Sequence, residues 1–139
     1  MAAGVGSFSN PSAPPRLALA LLGDMMLGRH VGEELVRAHR REEDAAAWGD
    51  VLPLLVGRPT GHPQMNAGNL ETAITTHDVA WPNKTFNFRA APAGARGALR
   101  AARMDFVSLA NNHSLDYMAE GLRETAEALD AGGVRHAGA

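Results

Sequence analysis

The sequence predicts an α/β domain in which a β-sheet is layered against flanking helices, and three observations carry that prediction. Two short apolar runs, RLALALL at Arg16 to Leu22 and FVSLA at Phe106 to Ala110, are too short for buried helices and read as interior strands. Each run stops abruptly at polar residues, Gly23-Asp24 after the first and NNHSLD at Asn111 to Asp116 after the second. Between and beyond them lie stretches whose apolar residues recur at helical spacing.

The elements follow in chain order. Met1 to Pro15 contains Gly, Ser, Pro and Ala but no Lys or Arg, so it lacks the charged start of a signal peptide and reads as a disordered leader before a domain spanning residues 16–139. Arg16 to Leu22 is expected as a fully buried parallel strand with Asp24 at its carboxyl end. Val31, Leu35, Val36 and Ala38 give one face of an amphipathic helix running to about Ala47, with Glu33, Glu34, Arg37, Arg40 and Arg41 on the solvated side. Gly57 to Pro63 is loop. A second core strand is expected at Gln64 to Leu70 if the sheet is to continue, although Asn66, Gly68 and Asn69 are weak strand formers.

After an excursion from Thr72 to Asn83, TFNFR at Thr85 to Arg89 alternates aromatic and polar residues as a half-exposed strand would. Pro92 to Arg103 reads as an Ala-rich helix started by proline. Its Arg96, Arg100 and Arg103 read as a solvated face. The second apolar run follows, then a helix from Tyr117 to Ala131 with Leu122, Ala126 and Leu129 as its core stripe and Gly132-Gly133 as its stop. Val134 to Ala137 begins another strand.

Composition narrows the function classes. With 139 residues, 45% of them hydrophobic and 20% charged, the chain suits one globular domain with a real core. A formal net charge of −2 provides no basic footprint, so nucleic acid is not an expected partner. The absence of cysteine excludes disulfides, thiolate zinc sites and cysteine nucleophiles. Leu17 to Leu22 covers only about a third of a membrane span, and with no targeting signal the cytoplasm is the default location. Neither a dinucleotide-binding nor a P-loop glycine pattern occurs.

Ligands in open α/β sheets bind beyond the carboxyl ends of strands. Three expected strand ends here carry Asp24, Glu71 and the Asn112/His113 pair, with Asp116 close behind. Two carboxylates, an amide oxygen and an imidazole could hold one or two divalent metals, which activate water and clamp an oxyanion. The same residues also suit turns and helix caps: Asp24 ahead of the segment near His30, and Asn111 and Asn112 ahead of Tyr117.

Several blocks carry a family resemblance: GDMMLGR at Gly23 to Arg29, WGDVLPLL at Trp48 to Leu55, NLETAIT at Asn69 to Thr75, FNFRAAP at Phe86 to Pro92, and the whole of Asp105 to Ala139. In this order they resemble the poly-gamma-glutamate capsule synthesis protein CapA family, which is similar in fold to calcineurin-like metallophosphoesterases. The resemblance implies a partial metallophosphoesterase-like layered sheet, the amino-terminal part and about half of the family's full domain. It implies Asp24 as a first metal ligand, Glu71 as a bridging carboxylate, Asn112 and His113 as a ligand pair, and Asp116 as a neighbouring group. His113 alternatively serves as a general acid near the leaving group, with Asp116 beside it in the catalytic set, and His30 is a further candidate. The metal would be Mn, Fe or Zn and the activity a metal-dependent hydrolase of phosphoester or amide type, acting on a small molecule or an acidic polymer such as poly-gamma-glutamate.

Two departures qualify this transfer. The family's later histidine motifs have no counterpart here, His136 reading as a strand-end residue, and HPQMNAG replaces the usual apolar strand before the NLE block. An incomplete domain would be inactive alone and would expose a sheet edge for self-association. A non-catalytic assembly or anchoring module for an acidic polymer, or an inactive truncated product, is the alternative reading.

Overall fold

The computed structural model describes residues 16–57 and 61–138. The expected leader, Met1 to Pro15, lies outside the described residues, as do positions 58–60 of the expected loop. Four parallel strands form the main sheet: β1 (Ala18–Met25), β2 (Gln64–Leu70), β5 (Met104–Ser108) and β6 (Arg135–Ala137), in that spatial order. A two-stranded parallel ladder joins β3 (Ala73–Ile74) to β4 (Arg89–Ala90). The helices are α1 (Arg29–Arg40), α2 (Leu52–Val56), α3 (Pro92–Ala101) and α4 (Met118–Ala131), with a 3-10 segment over Asp44–Val51. The α/β class expected from the sequence is the one observed, in keeping with a partial metallophosphoesterase-like layered fold.

One apolar core joins sheet and helices. Leu70 and Val107 from the strands meet Leu35 of α1, Leu55 of α2, Leu99 of α3 and Leu129 of α4. Burial of that kind, roughly 25 cal/mol per Å² of apolar area, is what holds the layers together. Polar ties then fix the register between layers. Thr125 Oγ1 on α4 accepts from the Ile74 backbone N–H at 2.9 Å, and Glu124 accepts from Thr75 Oγ1 at 2.6 Å and Thr76 N–H at 2.8 Å.

Strand β1 departs from expectation in extent and burial. It starts at Ala18 and runs through Gly23 and Asp24 to Met25, with a register shift between Leu21 and Asp24. It is not buried on both faces: Leu19 is 59% and Leu21 77% exposed, alternating with half-buried Ala18, Ala20 and Leu22. Leu21 pairs with Ala67, Ala67 with Phe106 and Phe106 with Arg135, so one row of one sheet face carries none of the fully buried residues. The helices cover the opposite face.

Strand β2 occupies the expected residues despite its weak formers, and the reason is specific. Asn66 is 2% exposed, and its Nδ2 lies within hydrogen-bonding distance of the carbonyls of Leu55 (3.0 Å), Ala102 (2.9 Å) and Arg103 (3.1 Å), while its Oδ1 accepts from Gln64 Nε2 at 2.7 Å. At Gly68 an added Cβ would stand 2.9 Å from the Met25 methyl and 3.2 Å from Leu22 Cβ. Glycine there lets β1 approach closely, and a larger residue would have to displace the end of the Met25 side chain and crowd Leu22.

Other boundaries moved. The first helix stops at Arg40, because Glu42 takes φ 61° and the chain turns into the 3-10 segment. The expected strand at Thr85 to Arg89 is reduced to Arg89–Ala90, with Phe86 exposed. Among the described residues no helix is long and apolar enough to cross a membrane.

Candidate functional site

Past the end of β5 the chain turns tightly and lays its polar side chains against the neighbouring strand ends. Leu109 N–H continues the ladder to Ala137 O at 2.8 Å, and Asn111 N–H then turns back to Leu109 O at 2.9 Å. The Asn111 amide donates to Asn69 Oδ1 (2.9 Å) and Leu70 O (3.0 Å), while its own Oδ1 accepts the His113 N–H (2.9 Å). Asn69 in turn donates to Asp24 Oδ1 at 2.8 Å. A continuous chain of amides thus ties Asp24 of β1, Asn69 of β2 and the loop carrying His113 into one polar rim.

His113 is held from behind. Its Nδ1 lies 2.7 Å from Asp116 Oδ2, and its ring stacks on Phe88 with centroids 4.2 Å apart and planes 23° apart. Asp116 is fully buried. Its Oδ2 also accepts the Phe88 N–H at 2.6 Å, its Oδ1 accepts from Lys84 Nζ, and its carbonyl accepts the Trp81 N–H at 2.8 Å. An ionised carboxylate only accepts, so the Nδ1 contact assigns the imidazole proton to Nδ1 and leaves Nε2 for other chemistry. Lys84 Nζ also donates to the carbonyl of Asn112. Trp81, Lys84, Asn112 and Leu115 line an open hollow of about 270 Å³ beside this cluster. A larger hollow, about 530 Å³, lies between α1 and the 3-10 segment and holds none of these groups.

The remaining sequence-derived candidates are placed as follows. Glu71 directly follows β2, with its N–H on Met25 O at 3.1 Å and its carbonyl accepting from Thr72 Oγ1 at 2.7 Å, and its side chain is half-buried. Asn112 is exposed. His30 lies at the exposed start of α1, 3.5 Å from Glu33 and apart from the rim, and His136 on β6 pairs with Asp130 at 3.2 Å. Among the described residues no three His, Asp or Glu side chains stand close enough together to hold a metal ion. The donor types, carboxylate and amide oxygens with one imidazole backed by a carboxylate, fit a divalent ion. Their number at any one point does not close a metal cage.

Four partners escaped the sequence reading: Lys84, Phe88, Asn69 and the bridging role of Asn111. Asn69 was visible as a weak strand residue and as the start of the NLETAIT block, with no partner assigned to it, and Lys84 follows an excursion with no periodic signal. Among the described residues, the one carboxylate shifted far from its ordinary range lies elsewhere. Hydrogen bonds from the Thr75 hydroxyl and the Thr76 backbone hold Glu124 down to about 2. Neighbouring Glu120 is lowered by Arg123.

Comparison with known proteins gives a consistent picture. The sequence profile of a family described as bacterial capsule synthesis protein PGA_cap matches residues 18–139. Two proteins of Mycobacterium tuberculosis, from strains CDC 1551 / Oshkosh and ATCC 25618 / H37Rv, each carry the name probable polyglutamine synthesis accessory protein. Each is 30% identical over 154 residues, covering 91% of this chain and 39% of its own length. An uncharacterized protein of Sinorhizobium fredii is 50% identical over 40 residues, which is 29% of this chain and 9% of its own. The chain therefore spans about two fifths of the length of its mycobacterial relatives.

Proposed function

This chain belongs to the bacterial capsule synthesis protein PGA_cap family, and from that premise we propose that its polar rim is part of a metal-dependent hydrolase or transferase site. The substrate class is a phosphoester or amide within the synthesis of an acidic polymer, since the mycobacterial relatives carry a polyglutamine-synthesis name. The observation that carries the reading is the buried Asp116 behind His113, which presents Nε2 as the free ring nitrogen at the carboxyl end of a parallel sheet.

In this reading Asp24, Glu71, Asn112 and His113 are the groups that hold one or two divalent ions, with further donors contributed from outside these 139 residues. The bound ion would activate water and neutralise developing negative charge. This chain's own part is orientation. Asp116 fixes the tautomer and the orientation of the ring. Asn69 and Asn111 hold the three strand ends in register, and Phe88 keeps the imidazole from rotating away. A second role would need the doubly protonated ring: with a proton taken up at Nε2 as well as Nδ1, His113 would protonate a leaving oxygen as a general acid, worth roughly 10²- to 10⁴-fold in rate.

Calorimetric titration of Mn²⁺, Fe²⁺ and Zn²⁺ into this chain and into a mycobacterial relative tests the proposal. Weak binding by the chain, tighter binding by the relative and loss on Asp24→Ala are expected. Binding by neither sinks it. His113→Ala assigns the imidazole: lost binding makes it a ligand, whereas retained binding with lost hydrolysis makes it the acid. A second reading, a non-catalytic module for polymer assembly, draws on the uncovered sheet face and the unclosed donor set. Activity unaffected by Asn112→Ala and His113→Ala, together with a stable dimer, would favour it.

A further inference from the structure

We infer that Lys84 is a positioning residue of this site: its ammonium clamps Asn112 to Asp116 and thereby fixes which nitrogen of His113 faces outward. The inference rests on the reading of His113 as the ligating or reacting imidazole. It needs nothing about the metal.

The geometry makes three points. First, Lys84 Nζ donates both to the Asn112 carbonyl and to Asp116 Oδ1, so one group spans the two ends of the Asn112–Asp116 turn. Second, the two oxygens of Asp116 are not equally supplied. Oδ2 receives the Phe88 N–H and the His113 Nδ1–H, whereas the donor that reaches Oδ1 is Lys84. The carboxylate is 0% exposed and the lysine side chain 25% exposed, so the pair is buried at its acidic end, and losing the lysine leaves a buried oxygen without its donor, unlike at a surface pair. Third, Lys84 Nζ stands 3.4 Å from His113 Nδ1. That nitrogen already carries the proton given to Asp116, so it has no lone pair for the ammonium. Lys84 acts on the ring through Asp116.

An alternative use of Lys84, catching an anionic substrate in the adjacent hollow, fits less well. Two of its three N–H groups are committed and its charge faces a carboxylate. The stretch 81–88 nevertheless keeps two other anchors on Asp116, the Trp81 and Phe88 N–H groups, so removing Lys84 alone leaves the segment attached.

The test is a long-range ¹H–¹⁵N correlation spectrum of the His113 ring in the full chain, at one mildly alkaline pH without added metal. The intact chain should show a single Nδ1–H tautomer. In Lys84→Met the two ring-nitrogen shifts should converge as both tautomers become populated, because Oδ1 loses its donor and the carboxylate, left with the Phe88 N–H on Oδ2, can turn away from Nδ1. Lys84→Arg should return the spectrum toward the single tautomer. Unmoved amide signals for Val107 and Leu129 show that the fold is intact. If the Met variant does not fold, Lys84→Gln takes its place and should show the same convergence, since one amide cannot bridge both acceptors. A folded Met or Gln variant that keeps the single Nδ1–H tautomer overturns the inference. Failure of metal binding in the titrations above would sink the functional reading and leave this result standing, so the two are separable.

Discussion

Replacing Asn66 by alanine probes why a strand with poor formers sits at the centre of the sheet. The side chain is 2% exposed and its Nδ2 faces three carbonyls, those of Leu55, Ala102 and Arg103. Its removal affects the three unequally. Leu55 O retains Gln64 Nε2 at 3.1 Å, and Arg103 lies in an exposed turn where water can substitute. Ala102 is fully buried at the end of α3, so its carbonyl loses a partner that water cannot replace. One stranded buried acceptor costs about 1–3 kcal/mol, and the small void left by the amide adds to it. The expected loss for Asn66→Ala is therefore roughly 2–4 kcal/mol in urea unfolding. Asn66→Asp should be worse, because it turns a carboxylate toward the same carbonyls. A loss below about 1 kcal/mol for the alanine variant would show that the amide is not the tie between α2, β2 and α3 described here.

Two further predictions concern acid stability and association. Glu124 titrates near 2 in the folded chain against an ordinary value of 4.5. Its hydrogen bonds to Thr75 and Thr76 thus stabilise the fold fully above about 4.5 and progressively less as pH falls toward 2. Glu124→Gln should flatten the acid limb of a melting-temperature profile in that window, and an unchanged slope there would refute the assignment. The exposed row of Leu19 and Leu21 should drive self-association. Sedimentation of the wild-type chain should depend on concentration, and the double variant Leu19→Thr, Leu21→Thr should abolish that dependence. A wild-type monomer at all concentrations would contradict it.

What the sequence disclosed and what it withheld divide along physical lines. The apolar runs at Arg16 to Leu22 and Phe106 to Ala110 located two strands, and helical spacing located α1, α3 and α4, because local pattern and burial coincide there. The run at β1 misled on burial. Alternation between Leu and Ala is apolar on both sides, and the residues alone do not say that helices cover the alanine side only. Strand β2 was placed by the need to continue the sheet, not by its residues. Its Asn66 is tied to a helix end and its Gly68 packs against Met25 and Leu22, contacts made by residues distant in the chain.

The same distinction decides what kind of site this is. Asp24 lies in β1, Glu71 directly after β2 and the Asn112/His113 pair beyond β5, strands that are neighbours in the sheet, although among the described residues no three His, Asp or Glu side chains gather at one point. Asp116, in the same NNHSLD run, gives His113 its chemical direction, but what holds Asp116 came from elsewhere. Asp116 is buried and satisfied chiefly by residues 81–88, an excursion with almost no regular structure. A parallel sheet could collect the donor types without that segment, yet the imidazole would then be free to present either nitrogen. The orientation of His113 therefore depends on residues that lie outside every strand-end motif, and substitutions in 81–88 should alter the site while leaving the sheet unchanged.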